Sequence, residues 1–337
     1  MPDKTSKAKK EPNRNGTHIV GVDIGGTNVR AALFDLDGTK LAEARNDTLA
    51  PRGPRTVAKQ VSETIAKCLD KGNAAGASVA GIGCGMPGRI TADGVVLWSP
   101  NFPSIEGVPL ADWIAKPLGL PLWMENDVNV AALGEFEFGA AKDVNSLVML
   151  PLGTGIGGGI ILDRRLWSGF NAGGAEIGHH VVNPGGRKCG CGNHGCLEAM
   201  AQRDAIIERA ALKIQTGRPS LLAQKVDSQV DAITPALIAD CAHEGDEICI
   251  ETFAETGFWI GVGIANMINI LNPEMVIIGG GISEAGDVLW RPMLRTVKAY
   301  AIHESRLVCQ VVPAKLGDDA GVMGGFTLVR RTLEAGG

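Results

Sequence analysis

His18-Ile-Val-Gly-Val-Asp-Ile-Gly25-Gly26-Thr27-Asn28 runs on into residues 29–34, apolar but for Arg30, and ends at Asp35. Short runs rich in Val and Ile, bounded by turn residues, predict buried strands, so this stretch reads as a β-hairpin with a glycine tip. The plan recurs 128 positions later in Leu147-Val-Met-Leu-Pro-Leu-Gly153-Thr154-Gly155-Ile-Gly157-Gly158-Gly159-Ile-Ile-Leu-Asp163. There Val20 meets Val148, Gly25 meets Gly153 and Asp35 meets Asp163. Such a repeat points to two domains on one plan. A length of 337 residues agrees.

Between the hairpins, strand and helix signals alternate. Val57, Val61, Ile65 and Leu69 fall at helical spacing within residues 56–71. Residues 78–84 read as a strand that meets the turn Gly85-Met-Pro87-Gly88. A short helix is expected over 110–118, a strand over 121–124 and a helix over 127–138, with Asn126 or Asp127 at its cap. Alternation of this kind indicates an α/β sheet. After Glu198 the chain reads as mostly helical to Leu271, then as a strand over 275–278 entering Gly279-Gly280-Gly281, then as a terminal helix from Asp318 to Leu333.

Composition narrows the function classes. Apolar residues make up 45% and charged residues 20%, enough for a large core without disulfide staples. A net charge of −5 makes neither nucleic acid nor an anionic membrane an obvious partner. The longest apolar run, residues 258–270, is interrupted by Gly261, Gly263 and Asn266 and is too short to span a bilayer. Lys4, Lys7, Lys9, Lys10 and Arg14 give residues 1–17 the look of a disordered basic tail without the apolar segment of a secretion signal. Cys68, Cys84, Cys241, Cys249 and Cys309 are scattered and read as buried thiols in a reducing, cytoplasmic setting.

Three cysteines, three histidines and two glutamates crowd into residues 176–198. Cys189-x-Cys191-x4-Cys196, with His179 ten residues before the first cysteine, supplies the N and S donors that tetrahedral Zn2+ prefers. His180 and His194 are rivals for the histidine position. Glu176 and Glu198 flank the sulfurs and suit a polar pocket better than the metal. The segment therefore reads as a structural zinc knuckle beside a binding site.

Three glycine-rich turns follow apolar strands: Asp23-Ile-Gly25-Gly26-Thr27, Gly153-Thr154-Gly155 and Gly279-Gly280-Gly281. Exposed backbone amides at such turns can cradle phosphate oxygens, and threonine adds a donor. Neither the dinucleotide fingerprint nor a phosphate-loop lysine is present. Glu125-Asn126-Asp127 stands where a strand meets a helix, a place for a cap or for a base.

Taken in order, Asp23-Ile-Gly-Gly-Thr27, Glu125-Asn-Asp127, Gly153-Thr-Gly-Ile-Gly157, Glu176-Ile-Gly-His179 and Cys189-Gly-Cys-Gly-Asn-His-Gly-Cys196-Leu-Glu198 resemble the ROK family of sugar kinases and repressors, and most of all its bacterial glucokinase branch. The resemblance spans about residues 18–330. It implies an actin-like, hexokinase-type fold of two α/β domains. Domain boundaries are expected at 18–126 and 127–317, with the helix at 318–335 packing back on the first domain. It implies ATP with Mg2+ near Asp23, and Gly25, Gly26, Thr27, Asn28, Gly153, Thr154, Gly155, Gly279, Gly280 and Gly281 around the nucleotide. Asp127 becomes the base for a sugar 6-hydroxyl, with Asn101, Asn126, Glu176, His179 and Glu198 on the other hydroxyls. Structural Zn2+ falls on His179, Cys189, Cys191 and Cys196. Many such proteins are homodimers or homotetramers. N-acetylmannosamine, mannose and fructose are alternative substrates. A sugar-responsive repressor is the rival class, but only about 17 residues precede the first strand, too few for a DNA-binding domain.

Overall fold

A computed structural model describes residues 11–74, 78–102, 104–227 and 229–335. Residues 1–10 of the expected tail lie outside the described residues. The rest of it is not loose: the Asn13 and Thr17 amides donate to the Ala80 and Ser78 carbonyls at 2.9 and 2.8 Å. The chain forms two compact units, residues 1–139 with 168–173 and 318–337, and residues 140–167 with 174–317. The first thus continues past the expected boundary at 126 and takes in the helix that begins with Asp127.

In the first unit the chain runs through β1 (His18–Ile24), β2 (Asn28–Asp35), β3 (Lys40–Asp47), α1 (Pro54–Lys71), β4 (Val79–Met86), a small hairpin of β5 (Arg89–Ile90) and β6 (Val96–Trp98), α2 (Leu110–Leu118), β7 (Leu122–Asn126) and α3 (Asp127–Glu137). The second contains β8 (Leu147–Pro151), β9 (Gly159–Leu162), β10 (Arg165–Leu166), α4 (Leu197–Ala201), α5 (Arg203–Ile214), α6 (Leu221–Val226), α7 (Pro235–His243), α8 (Glu247–Leu271), β11 (Met275–Gly279), α9 (Asp287–Tyr300), α10 (His303–Val308) and β12 (Gln310–Pro313). The last helix, α11 (Ala320–Ala335), belongs to the first.

The repeat shows in the topology. The first sheet has the order β3-β2-β1-β4-β7 and the second β10-β9-β8-β11-β12. In each, three antiparallel strands are followed outward by two parallel ones. The hairpin registers differ by one residue: Val20 faces Leu33, but Val148 faces Ile160. A parallel crossover needs a covering helix, and burial of the whole of β4 and β11 fits a sheet covered on both faces.

Glycine controls how closely α11 lies on the first sheet and on α3. A Cβ on Gly21 would collide with the Val322 carbonyl, and one on Gly324 with the Val130 carbonyl. Phe34, Phe138 and Phe326 pack on that face with a tilted contact at 5.3 Å and an edge-to-face contact at 5.6 Å. In the second unit, α8 is longer than the apolar run suggested. Its 25 residues pass a length and composition test for crossing a membrane, but 61% of the apolar window lies inside the protein, so it is the central core helix.

Candidate active site

The first glycine turn is closed by the Gly25 amide donating to the Asn28 carbonyl at 2.8 Å. Thr48, fully buried just beyond β3, braces it from outside. Its hydroxyl donates to the Gly25 carbonyl and its amide to the Thr27 carbonyl, each at 2.7 Å. Asn101 lies over this turn: a Cβ on Gly26 would stand 3.3 Å from the Asn101 Cβ. The expected sugar residue and phosphate turn are therefore neighbours.

The end of β7 shows which residue caps α3. Asn126 is the N-cap of α3, its Oδ1 accepting from the amides of Val128 and Asn129 at 2.9 and 3.2 Å. Its Nδ2 donates to the Gly88 carbonyl at 3.1 Å, so its second Nδ2 hydrogen is what this amide has left for a ligand. Glu125, quoted in the sequence motif without a role of its own, accepts with Oε1 from the Asn126 amide and from Asn129 Nδ2 at 2.9 and 3.1 Å. Asp127 is thereby released from capping. One of its oxygens accepts from the Val128 amide at 3.0 Å.

Asp127 keeps some surface toward solvent, but protein atoms crowd its carboxyl group. Burial pushes the pKa up from 3.8 to about 6, opposed by the Val128 amide and reinforced by the negative charge of Asp23. Asp23 is itself raised, first by burial and then by Asp318, while Arg30 pulls it down. Arg30 is a residue that sequence reading passed over. It is held by Glu43 at 2.7–2.8 Å and by Asp319. Its only sequence signal is a charge inside a strand.

In the second unit the other two glycine turns come together. The Leu152 amide donates to the Gly279 carbonyl at 2.8 Å, and the Ile282 amide to the Leu152 carbonyl at 3.2 Å. Gly280 takes φ 80°, and a Cβ there would collide with the Leu152 carbonyl, so the approach requires glycine. An added Cβ at Gly153 or Gly281 would meet nothing within 4 Å, so both turns have open space beside them.

The knuckle assembles as a donor set. Ligand atoms of His179, Cys189, Cys191 and Cys196 all lie within 4.8 Å of one another. Cys189 Sγ is 3.6 Å from His179 Nδ1, and Cys191 Sγ is 3.6 Å from Cys196 Sγ. Tetrahedral zinc, with bonds of about 2.0–2.3 Å, spaces its ligands by about 3.5–3.8 Å, so the donors fit that ion. His180 turns its Nδ1 to the Ile177 carbonyl, and His194 sits exposed on the hairpin loop, so neither joins the set. Glu176 is exposed, and Glu198 reaches the knuckle with Oε1 at 3.9 Å from His179 Nδ1.

Residues 19–332 match the ROK family. The chain belongs to that family. Among its ROK relatives, a glucokinase of Thermotoga maritima is 37% identical over 94% of this chain and 98% of its own. A xylose repressor of Caldicellulosiruptor bescii is 32% identical, covering 94% of this chain and 79% of its own. A ROK family glucokinase from Streptomyces griseus, solved with glucose and AMPPNP, superposes with a TM-score of 0.77 at 32% identity, over 93% of this chain and 99% of that one. The two-sheet architecture is thus the ROK hexokinase-type fold.

Proposed function

We propose that this ROK protein is an ATP-dependent hexose kinase, with glucose as its principal substrate and Asp127 as the base that takes the proton of the sugar 6-hydroxyl. The observation that carries the reading is Asp127 itself. Capping is done by Asn126, and burial with Asp23 nearby lifts the Asp127 pKa to about 6, close to the working pH that suits a general base. A sugar-binding repressor has no use for such a group, whereas phosphoryl transfer needs the attacking hydroxyl oriented and its proton accepted. The glucokinases of Thermotoga maritima and Streptomyces griseus support the same class.

In this reading the turn at Gly25–Asn28 and the paired turns at Gly153–Gly155 and Gly279–Gly281 supply backbone donors to nucleotide phosphates, and Mg2+ accompanies the ATP near Asp23. Asn101, Asn126, Glu176, His179 and Glu198 orient the sugar. Zinc on His179, Cys189, Cys191 and Cys196 acts structurally, because a closed set of four protein ligands leaves no position for a reactant. A panel of hexoses with ATP, read by ADP release, tests the proposal. Turnover confined to N-acetylmannosamine, mannose or fructose would move the substrate, and no turnover on any hexose would sink the kinase reading.

A further inference from the structure

We propose that the metal knuckle is the scaffold of the Gly153–Gly159 loop, with Glu198 as the positioning residue between them, so that nucleotide binding depends on the knuckle even without sugar. The inference rests on the reading of that loop as a phosphate site. It adds to Glu198, so far assigned to sugar hydroxyls, a second task toward the loop.

Four contacts carry it. The Ile156 amide donates to Glu198 Oε2 at 3.0 Å. The Arg203 amide donates to the Gly153 carbonyl at 3.0 Å. On the other side of the loop, a Cβ on Gly178 would collide with the Ile156 carbonyl, and one on Gly158 with the Ala175 carbonyl. The partners come from both flanks of the knuckle, Ala175 and Gly178 before the sulfurs, Glu198 and Arg203 after them. The loop is therefore gripped between the two ends of the segment that the metal ligands close.

Glu198 is the polar link. Oε2 holds the loop, while Oε1 lies 3.8 Å from Cys189 Sγ and 3.9 Å from His179 Nδ1. The fit leaves no slack, since a Cβ on Gly155 would stand 2.6 Å from Oε2. Between the flanks the knuckle is held mainly by short backbone bridges, such as Cys189 amide to Asn193 carbonyl at 2.8 Å and Val182 amide to Gly195 carbonyl at 2.9 Å. Ligand closure by a metal is what fixes so short a segment, because binding and local folding are coupled. Loosening it frees Ile156 and with it the line of amides from Gly153 onward.

The test uses the full chain, AMPPNP with Mg2+ as the probe, no sugar, and calorimetric affinity. A backbone amide to a carboxylate is a charge-assisted bond, so Glu198→Ala should weaken AMPPNP about tenfold. Glu198→Gln keeps an acceptor oxygen and should stay within about threefold of the parent protein. Gly155→Ala pushes the carboxylate aside and should weaken binding too. The double variant should then be no weaker than the weaker single one, because both break one contact. Chelator-stripped protein should lose at least as much affinity as Glu198→Ala. Unchanged affinity in Glu198→Ala or in the zinc-free protein, equal loss in Gln and Ala, or fully additive losses in the double variant would each overturn the inference. If Glu198→Ala does not fold, the zinc-free protein decides. An unaltered protein that binds no AMPPNP at all would instead remove the phosphate reading beneath it.

Discussion

Asp127→Asn separates a base from a cap more sharply than loss of turnover alone, because it should stabilise the protein while disabling it. The pKa of Asp127 rises from 3.8 to about 6 on folding. A group raised by folding is tolerated best in its protonated form, so its contribution is fully present below about pH 4 and is lost as the pH climbs through about 6. Ionised at neutral pH, the carboxylate therefore costs the fold up to about 3 kcal/mol. Because the side chain is only half-buried, solvent screening reduces that to about 1–2 kcal/mol. Asparagine keeps the shape without the charge, and the cap on Asn126 is untouched. Denaturant titrations should show the variant more stable than the parent by about 1–2 kcal/mol at pH 7.5, the difference shrinking toward zero near pH 4. At pH 7.5 kcat should fall by about 10^2 to 10^4, while the sugar Kd changes little. In the parent protein kcat/KM should decline below about pH 6, as the base takes up its proton. A kcat within a few-fold of the parent refutes the mechanism. A stability difference that ignores pH refutes the electrostatic account of the site.

Cys191→Ser should reduce bound zinc well below one ion per chain by metal analysis and weaken sugar affinity. Full metal loss with unchanged sugar binding would detach the knuckle from the pocket. A hexose lacking a hydroxyl read by Glu176 or Glu198 should be turned over with kcat/KM lower by about tenfold or more, since acceptors covered by the bound sugar would be left unpaired; equal kinetics on both sugars would show that these carboxylates read no hydroxyl. Gly324→Ala should destabilise the first unit by about 3 kcal/mol or more, because its Cβ meets backbone at Val130 rather than a side chain that could move; a melting temperature within a degree of the parent would contradict the close packing of α11.

The strands that sequence revealed are mostly apolar, β4 and β11 throughout, because a strand buried on both faces leaves a continuous signal. β3 went unread. Lys40-Leu-Ala-Glu-Ala-Arg-Asn-Asp47 is an edge strand whose residues are mostly polar or small and exposed, and only pairing with β2 makes it a strand. The candidate metal ligands were legible because spacing alone brings Cys189, Cys191 and Cys196 together. The choice among three histidines was not, since it depends on which side chain the short turn at Ile177–His179 aims at the sulfurs. Thr48 and Arg30 were invisible for a related reason. Each acts on residues that tertiary structure alone makes neighbours, as when Thr48 closes a turn begun at Gly25.

The two halves of the repeat have been put to different uses. Shifting by 128 residues, Asp23 falls on Pro151 and Thr27 on Gly155. The first turn keeps a buried acid, and its charge helps to hold the Asp127 pKa near 6. The second has given up its acid and hydroxyl at those positions for Pro151 and for a glycine against Glu198. A buried carboxylate without a full ion pair is costly, and a fold keeps such a group where its strain serves chemistry. The sheet that retains the cost is the one that carries Asp127, the proposed base. The sheet that discards it needs rigidity instead, and there a segment with four metal-ligand side chains lies against the loop.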